Sequence, residues 1–189
     1  MEAKIEVRRA IKERLSKLSE NDRRVESQII VREIAKILPK KTSIIAAYSP
    51  YLDEPNITSL ITELVRQKNV ICMGKTNGHH MAMHAISDLS LIHRNPITNI
   101  LEPSLNNPVN EVDIAVAIIP GRAFTKDGQR MGRGNGGYDR WMREQRKRNP
   151  QTLMIGVCFD CQILPVIPME EHDESVDIVI SGTRIFRKE

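Results

Sequence analysis

Residues 112–119 read Val-Asp-Ile-Ala-Val-Ala-Ile-Ile, and beyond Asp113 neither face of this run is polar. A strand of that kind has to be covered on both sides, the condition met in a mostly parallel sheet. Residues 43–48, 69–73, 153–158 and 176–181 carry similar short apolar runs, and residues 81–85 alternate weakly. Helical spacing fills the gaps. Val7, Ile11, Leu15 and Leu18 predict a helix over 2–18. Val25, Ile29, Ile30, Ile34 and Ile37 give a second helix its apolar face, with Ser19 and Asp22 as a shortened capping box and Pro39 as its stop. A third helix starts at a cap on Asn56 or Thr58 and runs to about Gln67, and a fourth spans 138–148. Residues 87–110, with Pro96, Pro103 and Pro108, read as irregular. Strands alternating with helices predict an α/β chain, a three-layer α/β/α arrangement around a mostly parallel, Rossmann-like sheet.

A chain of 189 residues with no linker or repeat suits one domain over 1–189. Aromatic residues make up only 4% of it, so the core must rest on Ile, Leu, Val, Met and Ala. No apolar run approaches the roughly 20 residues of a membrane helix. Glu2, Lys4, Glu6, Arg8 and Arg9 make the start a charged helix rather than a signal peptide, so a cytoplasmic protein with no membrane partner is expected. Cys158 and Cys161 form a C-x-x-C, yet Pro165 and Pro168 oppose the helix a redox pair would open, and no second pair completes a zinc site. They read as structural thiols, as does Cys72. His79, His80, His84 and His93 lack metal-ligand spacing and read as structural or surface residues. The net charge of +4 is compatible with a phosphorylated cofactor, an acidic small substrate or nucleic acid.

The strongest local signal follows the central strand. Gly132, Gly134, Gly136 and Gly137 lie within six residues, directly before a helix, and Arg130 and Arg133 flank them. Glycine lets successive amides converge on an anion, and a helix N-terminus adds its dipole there. The pattern suits a polyphosphate. It is not a G-x-x-x-x-G-K-[ST] loop. Gly132, Gly134 and Gly137 match G-x-G-x-x-G, but a dinucleotide fingerprint places its first glycine straight after the strand, and this strand ends near Pro120. A flexible surface loop is the plain alternative.

At this loop the chain resembles the 5-formyltetrahydrofolate cyclo-ligase family. The family carries Pro-Gly-x-x-Phe-Asp and then Arg-Leu-Gly-x-Gly-x-Gly-Tyr-Tyr-Asp. Here stand Pro120-Gly121-Arg122-Ala123-Phe124 and Arg130-Met131-Gly132-Arg133-Gly134-Asn135-Gly136-Gly137-Tyr138-Asp139. Lys4 and Arg8, Glu54, Glu102-Pro103, Gly156, Gln162, Pro168 and His172-Asp173 agree in order. The resemblance implies an ATP- and Mg²⁺-dependent ligase of one-carbon metabolism. ATP would phosphorylate the formyl oxygen of 5-formyltetrahydrofolate, N10 would attack, and 5,10-methenyltetrahydrofolate, ADP and phosphate would result.

The same resemblance assigns roles. Lys4 and Arg8, one helical turn apart, would contact ATP phosphates. Arg130, Gly132, Arg133, Gly134, Gly136, Gly137 and Tyr138 would form the ATP loop, with Arg133 and Tyr138 catalytic. Asp139 and Asp173 would hold Mg²⁺. Glu54 would accept from the donor edge of the pterin, with Met81 and Met83 lining its pocket. Without the family, Lys4 and Arg8 suit a solvated helix face, Asp139 a helix cap, Asp173 an exposed turn, and the two methionines plain core. The chain departs from the family pattern in three places: Gly137 replaces the first tyrosine, Thr125 replaces an aspartate, and Met73-Gly74-Lys75 replaces an apolar-Pro-Arg sequence. A divergent ATP-binding relative with altered substrate is therefore a second reading. A nucleic-acid-binding module is a third, from Arg122, Lys126, Arg130, Arg133, Arg140, Arg143, Arg146, Lys147 and Arg148, but few aromatics interleave for base stacking. That patch equally suits the acidic tail of a polyglutamated folate. The expected partner is thus a small folate rather than nucleic acid, and the expected state a monomer.

Overall fold

The computed structural model describes residues 2–77, 80–96 and 101–188. In chain order the elements are α1 (Glu2–Ser16), α2 (Glu20–Ile37), β1 (Ile44–Ala47), α3 (Thr58–Arg66), β2 (Val70–Asn77), β3 (His80–Ile86), β4 (Ile92–Arg94), β5 (Leu101–Pro103), β6 (Ile114–Pro120), β7 (Ala123–Phe124), β8 (Arg130–Met131), α4 (Gly137–Arg148), β9 (Leu153–Val157), β10 (Ile178–Ile180) and β11 (Ile185–Arg187). The seven-stranded sheet has the order β11-β10-β9-β6-β1-β2-β3. Its five central strands are parallel, and the edge strands β3 and β11 run antiparallel. The three-layer architecture is the one the apolar runs demand.

The layers follow from the two-residue period of the strands. Ile45 and Ala47, Val116 and Ile118, and Ile155 and Val157 face Ile30 and Ile34 of α2 and Leu60, Ile61 and Leu64 of α3. Ala46, Ala117, Ile119 and Met154 face the other way, onto Trp141 and Met142 of α4. Each fully buried Ile or Met contributes about 1.5–3 kcal/mol. Helix α1 lies outside these layers; its Ile11 and Leu15 pack on Ala123, Met131, Phe159 and Ile167.

Local signals behave as their chemistry requires. The Ser19 hydroxyl accepts from the Asp22 N–H at 3.1 Å, while the Asp22 carboxylate accepts from the Ser19 N–H at 3.2 Å. At α3 the cap position is Ile57, and the Asn56 side chain accepts from the Thr58 N–H at 3.0 Å. Two expectations need correction. Residues 87–110 are not simply irregular, because β4 and β5 form a small antiparallel ladder. The chain also adds β11 beyond the last apolar run, pairing Val179 with Phe186. Among the described residues no helix is long and apolar enough to cross a membrane. His79 lies outside the described residues.

Candidate functional site

From β1 the chain proceeds to β2 on one side, and from β6 to β9 on the other, although β1 and β6 are neighbours. A crevice opens outside the carboxyl ends of strands at such a switch point. Here it is a cleft of about 680 Å³, reached by Tyr48 and Ser49 after β1, Met73 and Gly74 of β2, Met81 of β3, and Pro120 and Gly121 at the end of β6. The glycine loop and the start of α4 close its far wall.

The loop is more structured than a flexible connection. Between its ends the β7–β8 hairpin pairs Ala123 with Met131 and Phe124 with Arg130. Gly134 has φ of 113° and Gly136 of 66°, backbone that side chains with a Cβ rarely adopt. Gly136 is also the N-cap of α4, without a side-chain acceptor of its own. The helix therefore begins at Gly137, one residue earlier than its pattern suggests, with its N-terminus at the cleft wall.

Helix α1 delivers one cation to this loop and another to the turn at 170–173. The Arg8 Nε donates to the Gly132 carbonyl at 3.0 Å. The Lys4 ammonium, 7% exposed, donates to Asp173 at 2.5 Å and to Glu170 at 2.9 Å. Burial pushes the Asp173 carboxyl upward, but hydrogen bonds from Lys4 and the Glu170 N–H outweigh it and hold the group below its ordinary range. Donor atoms of Glu170, His172 and Asp173 lie within 4.8 Å of one another.

Arg130 and Asp139 meet each other. Arg130 is 2% exposed and donates through Nη2 to Asp139 Oδ1 at 3.0 Å and through Nη1 to the Pro120 carbonyl at 3.3 Å. Its guanidinium lies 5.8 Å from the Tyr138 ring centroid. The pair braces the loop against β6. Asp139 also accepts from the Glu174 N–H at 3.3 Å, which brings it next to the Asp173 turn. The metal-capable cluster among the described residues nevertheless contains Asp173 and not Asp139.

The Glu54 carboxylate, also in the lining of the cleft, accepts from Arg133 Nε at 3.1 Å and Nη2 at 2.8 Å, and from the Tyr51 N–H at 2.9 Å. Arg133 also reaches Asp53 at 2.5 Å and lies 4.6 Å from the Tyr51 ring centroid. Burial raises the Tyr138 hydroxyl, and the nearby Glu54 carboxylate raises it further, against the opposing pull of Arg130. Tyr138 therefore stays protonated, a donor at neutral pH.

Lys4, Arg8, Glu54, Asp173 and the glycine loop thus converge on one end of the sheet. Met81 and Met83 do not share a fate. Met81 lines the cleft, whereas Met83, 1% exposed, packs in the core with Cys72, Trp141 and Met142. Both methionines point to one face of β3, but Met83 lies deeper, beneath α4. Asp53, Tyr51 and Glu170 carry contacts at the site that the sequence does not single out; of these only Asp53 left a trace, its adjacency to Glu54. Arg122, read from the sequence only as part of a motif and a basic patch, pairs with Asp53. The cysteines are free, and burial pushes their thiols up, to about 12 for Cys72 and about 11 for Cys161.

The family model described as "5-formyltetrahydrofolate cyclo-ligase family" matches residues 1–182. The mouse 5-formyltetrahydrofolate cyclo-ligase is 28% identical over 190 residues, covering 94% of this chain and 93% of the mouse protein. The solved 5,10-methenyltetrahydrofolate synthetase of Aquifex aeolicus superimposes with a TM-score of 0.81 at 28% identity, over 98% of this chain and 92% of the other. That of Mycoplasma pneumoniae, at 20% identity and a TM-score of 0.75 over 98% and 99%, shares the fold.

Proposed function

This chain belongs to the 5-formyltetrahydrofolate cyclo-ligase family, and we propose that it converts 5-formyltetrahydrofolate to 5,10-methenyltetrahydrofolate with consumption of ATP. One observation carries the reading: one cleft at the switch point is lined both by a phosphate-type glycine loop and by the Glu54 carboxylate, which Arg133 of that loop contacts. An amide oxygen is a poor leaving group, and transfer of a phosphoryl group onto it makes it a good one. The formyl oxygen takes the γ-phosphoryl group, N10 forms the new bond to the formyl carbon and loses its proton, and phosphate departs.

Phosphoryl transfer depends mainly on position and charge neutralisation. Lys4, Arg8 and the amides around Gly134 and Gly136 would receive the phosphates, and Arg133 would meet the charge that grows on the transferred group. The Glu54 carboxylate would accept from the N–H edge of the pterin, with Met81 beside the ring. Tyr138, protonated and at the helix start, would donate a hydrogen bond. The hard oxygen donors of Asp173 and Glu170 fit Mg²⁺, and Lys4 already supplies positive charge at that place. When bound there, Mg²⁺ would neutralise phosphate oxygens; Asp139, engaged with Arg130, would orient the turn around it. The same reading takes the enzyme as a cytoplasmic monomer whose basic surface suits an acidic polyglutamate tail.

Mixing protein, Mg-ATP and 5-formyltetrahydrofolate while following methenyl absorbance in the near ultraviolet tests this. A rising signal that requires all three components is expected. No signal at high enzyme concentration removes the activity and favours the second reading, an ATP-binding relative with another substrate. Gly137, which leaves the cleft wall open where the family has an aromatic ring, is the observation behind that alternative.

A further inference from the structure

Arg133 does not hang from the glycine loop as a free cation. Its Nε and Nη2 are engaged by two consecutive carboxylates, Glu54 and Asp53. Its third nitrogen, Nη1, has no hydrogen-bond partner among the described residues. Asp53 in turn gives its second oxygen, Oδ2, to Arg122. Arg122 is well anchored: its N–H donates to the Met131 carbonyl at 2.7 Å, and its carbonyl accepts from the buried Gln162 side chain at 3.0 Å. A rigid hairpin residue thus holds a carboxylate that holds Arg133.

The arrangement matters once substrate arrives. Both bonds from Arg133 end on Glu54 Oε1 while Oε2 takes the Tyr51 N–H, so a pterin edge that claims Oε1 displaces Arg133 from it. Asp53 then becomes the remaining anionic contact of that guanidinium. We propose that Asp53, fixed by Arg122, is a positioning residue that keeps Arg133 in place for phosphoryl transfer after the folate ring has claimed Glu54. This rests on the roles of Glu54 and Arg133 proposed above. Burial pushes the Asp53 carboxyl upward, but the hydrogen bonds from Arg122 and Arg133 prevail and keep it ionised at every pH where the enzyme would work.

A double-mutant cycle in kcat tests the relay. Asp53→Asn should lower kcat about tenfold while both KM values stay within about twofold, because misplacement of an oriented group is felt in the transition state. Arg122→Leu should act in the same direction by about threefold, and Arg122→Lys should restore most of that loss. In an Arg133→Ala background neither Asp53→Asn nor Arg122→Leu should lower kcat further. A full repeat of the loss in that background overturns the proposal, as does an unchanged kcat in Asp53→Asn. A merely structural role would lower the melting temperature and persist in both backgrounds. If Asp53→Asn does not fold, Arg122→Leu carries the same cycle. If the wild-type enzyme turns over no formyl-folate, the activity reading fails in the wild-type assay, before any variant is compared, and the proposal falls with it.

Discussion

The two ends of β6 carry polar clusters of opposite design. At its amino end the fully buried Gln145 donates to the Glu111 carbonyl and to Thr152 Oγ1, both at 2.8 Å. Thr152 donates on to the Ile114 carbonyl, and Asn149 donates to the carbonyls of Val112 and Ile114. Glu111 accepts from Arg148 and from the Met83 N–H. Most of these bonds end on backbone, so the cluster ties α4 to the strands and leaves little to exchange. At the carboxyl end the partners are charged side chains: Lys4 with Glu170 and Asp173, Arg133 with Asp53 and Glu54, Arg122 with Asp53. Under the proposed function such ionic partners would be exchanged for phosphate, metal or pterin while the backbone bonds that hold the fold stay in place. At the two ends of one strand, then, mostly neutral, backbone-directed bonds, with the Arg148–Glu111 pair among them, mark the fixed end, and side-chain ion pairs mark the end that the proposed function uses.

The contrast breaks most readily at Arg133. Arg133→Ala should lower kcat by about 10²–10³-fold, the usual cost of removing a donor aimed at transition-state charge. Stability should fall by no more than about 1 kcal/mol, because partly exposed ion pairs contribute little. A kcat within a few-fold of wild type would show that the carboxyl-end pairs are as structural as the amino-end bonds. Gln145→Leu should do the reverse. It leaves the Glu111 carbonyl and a Thr152 lone pair unmet, so urea denaturation should show a loss of about 1–3 kcal/mol, with kcat of the folded fraction unchanged.

Acid should separate the ends more finely. Asp53 and Asp173 are both held below the ordinary aspartate pKa of 3.8, against the upward push of burial. A carboxyl depressed in the folded state binds its proton more readily when unfolded. Its stabilisation is therefore complete above the unfolded pKa and disappears as pH falls through the folded value. The urea midpoint should stay level above about pH 5 and decline below about pH 4. Asp53→Asn and Asp173→Asn should each make that decline shallower, by about 1 kcal/mol or less. Gln145→Leu should shift the whole curve without altering its acid slope; equal slopes in all three variants would erase the distinction.

Period and composition made the central sheet legible, since only a doubly covered strand tolerates a run such as Ile114–Pro120. Edge elements were not. Strands β4, β5 and β11 span three residues each, too few for any period to register, and they exist because neighbouring strands offer them hydrogen bonds. At the site, the glycines stood out by residue type, whereas Lys4, Arg8 and Asp173 stood out only through the resemblance to the family, since charged residues on a helix face or a turn are ordinary. The pairing of Asp53 with Arg122 was not legible, because they are 69 residues apart in sequence and meet only where the β7–β8 hairpin reaches the loop after β1. Met83 was misplaced for a related reason: alternation assigns a face, while depth on that face depends on where α4 lies.

The smallest effect expected is at Gly137, where the working end has lost bulk. Its φ is not in the left-handed region, and an added Cβ would meet only the Asn135 Oδ1, at an ordinary 3.7 Å. Tyrosine therefore fits the backbone, and leaving glycine at the first turn of α4 should raise stability by a few tenths of a kcal/mol. The ring would narrow the cleft beside Tyr138 and exclude water from the reacting formyl group. Turnover of 5-formyltetrahydrofolate by Gly137→Tyr should rise about threefold, equivalent to about 0.6 kcal/mol. A fall in turnover with unchanged Mg-ATP affinity would mean that the open wall accommodates a different substrate, and that the phosphate side of the cleft has been kept while its folate side has been rebuilt.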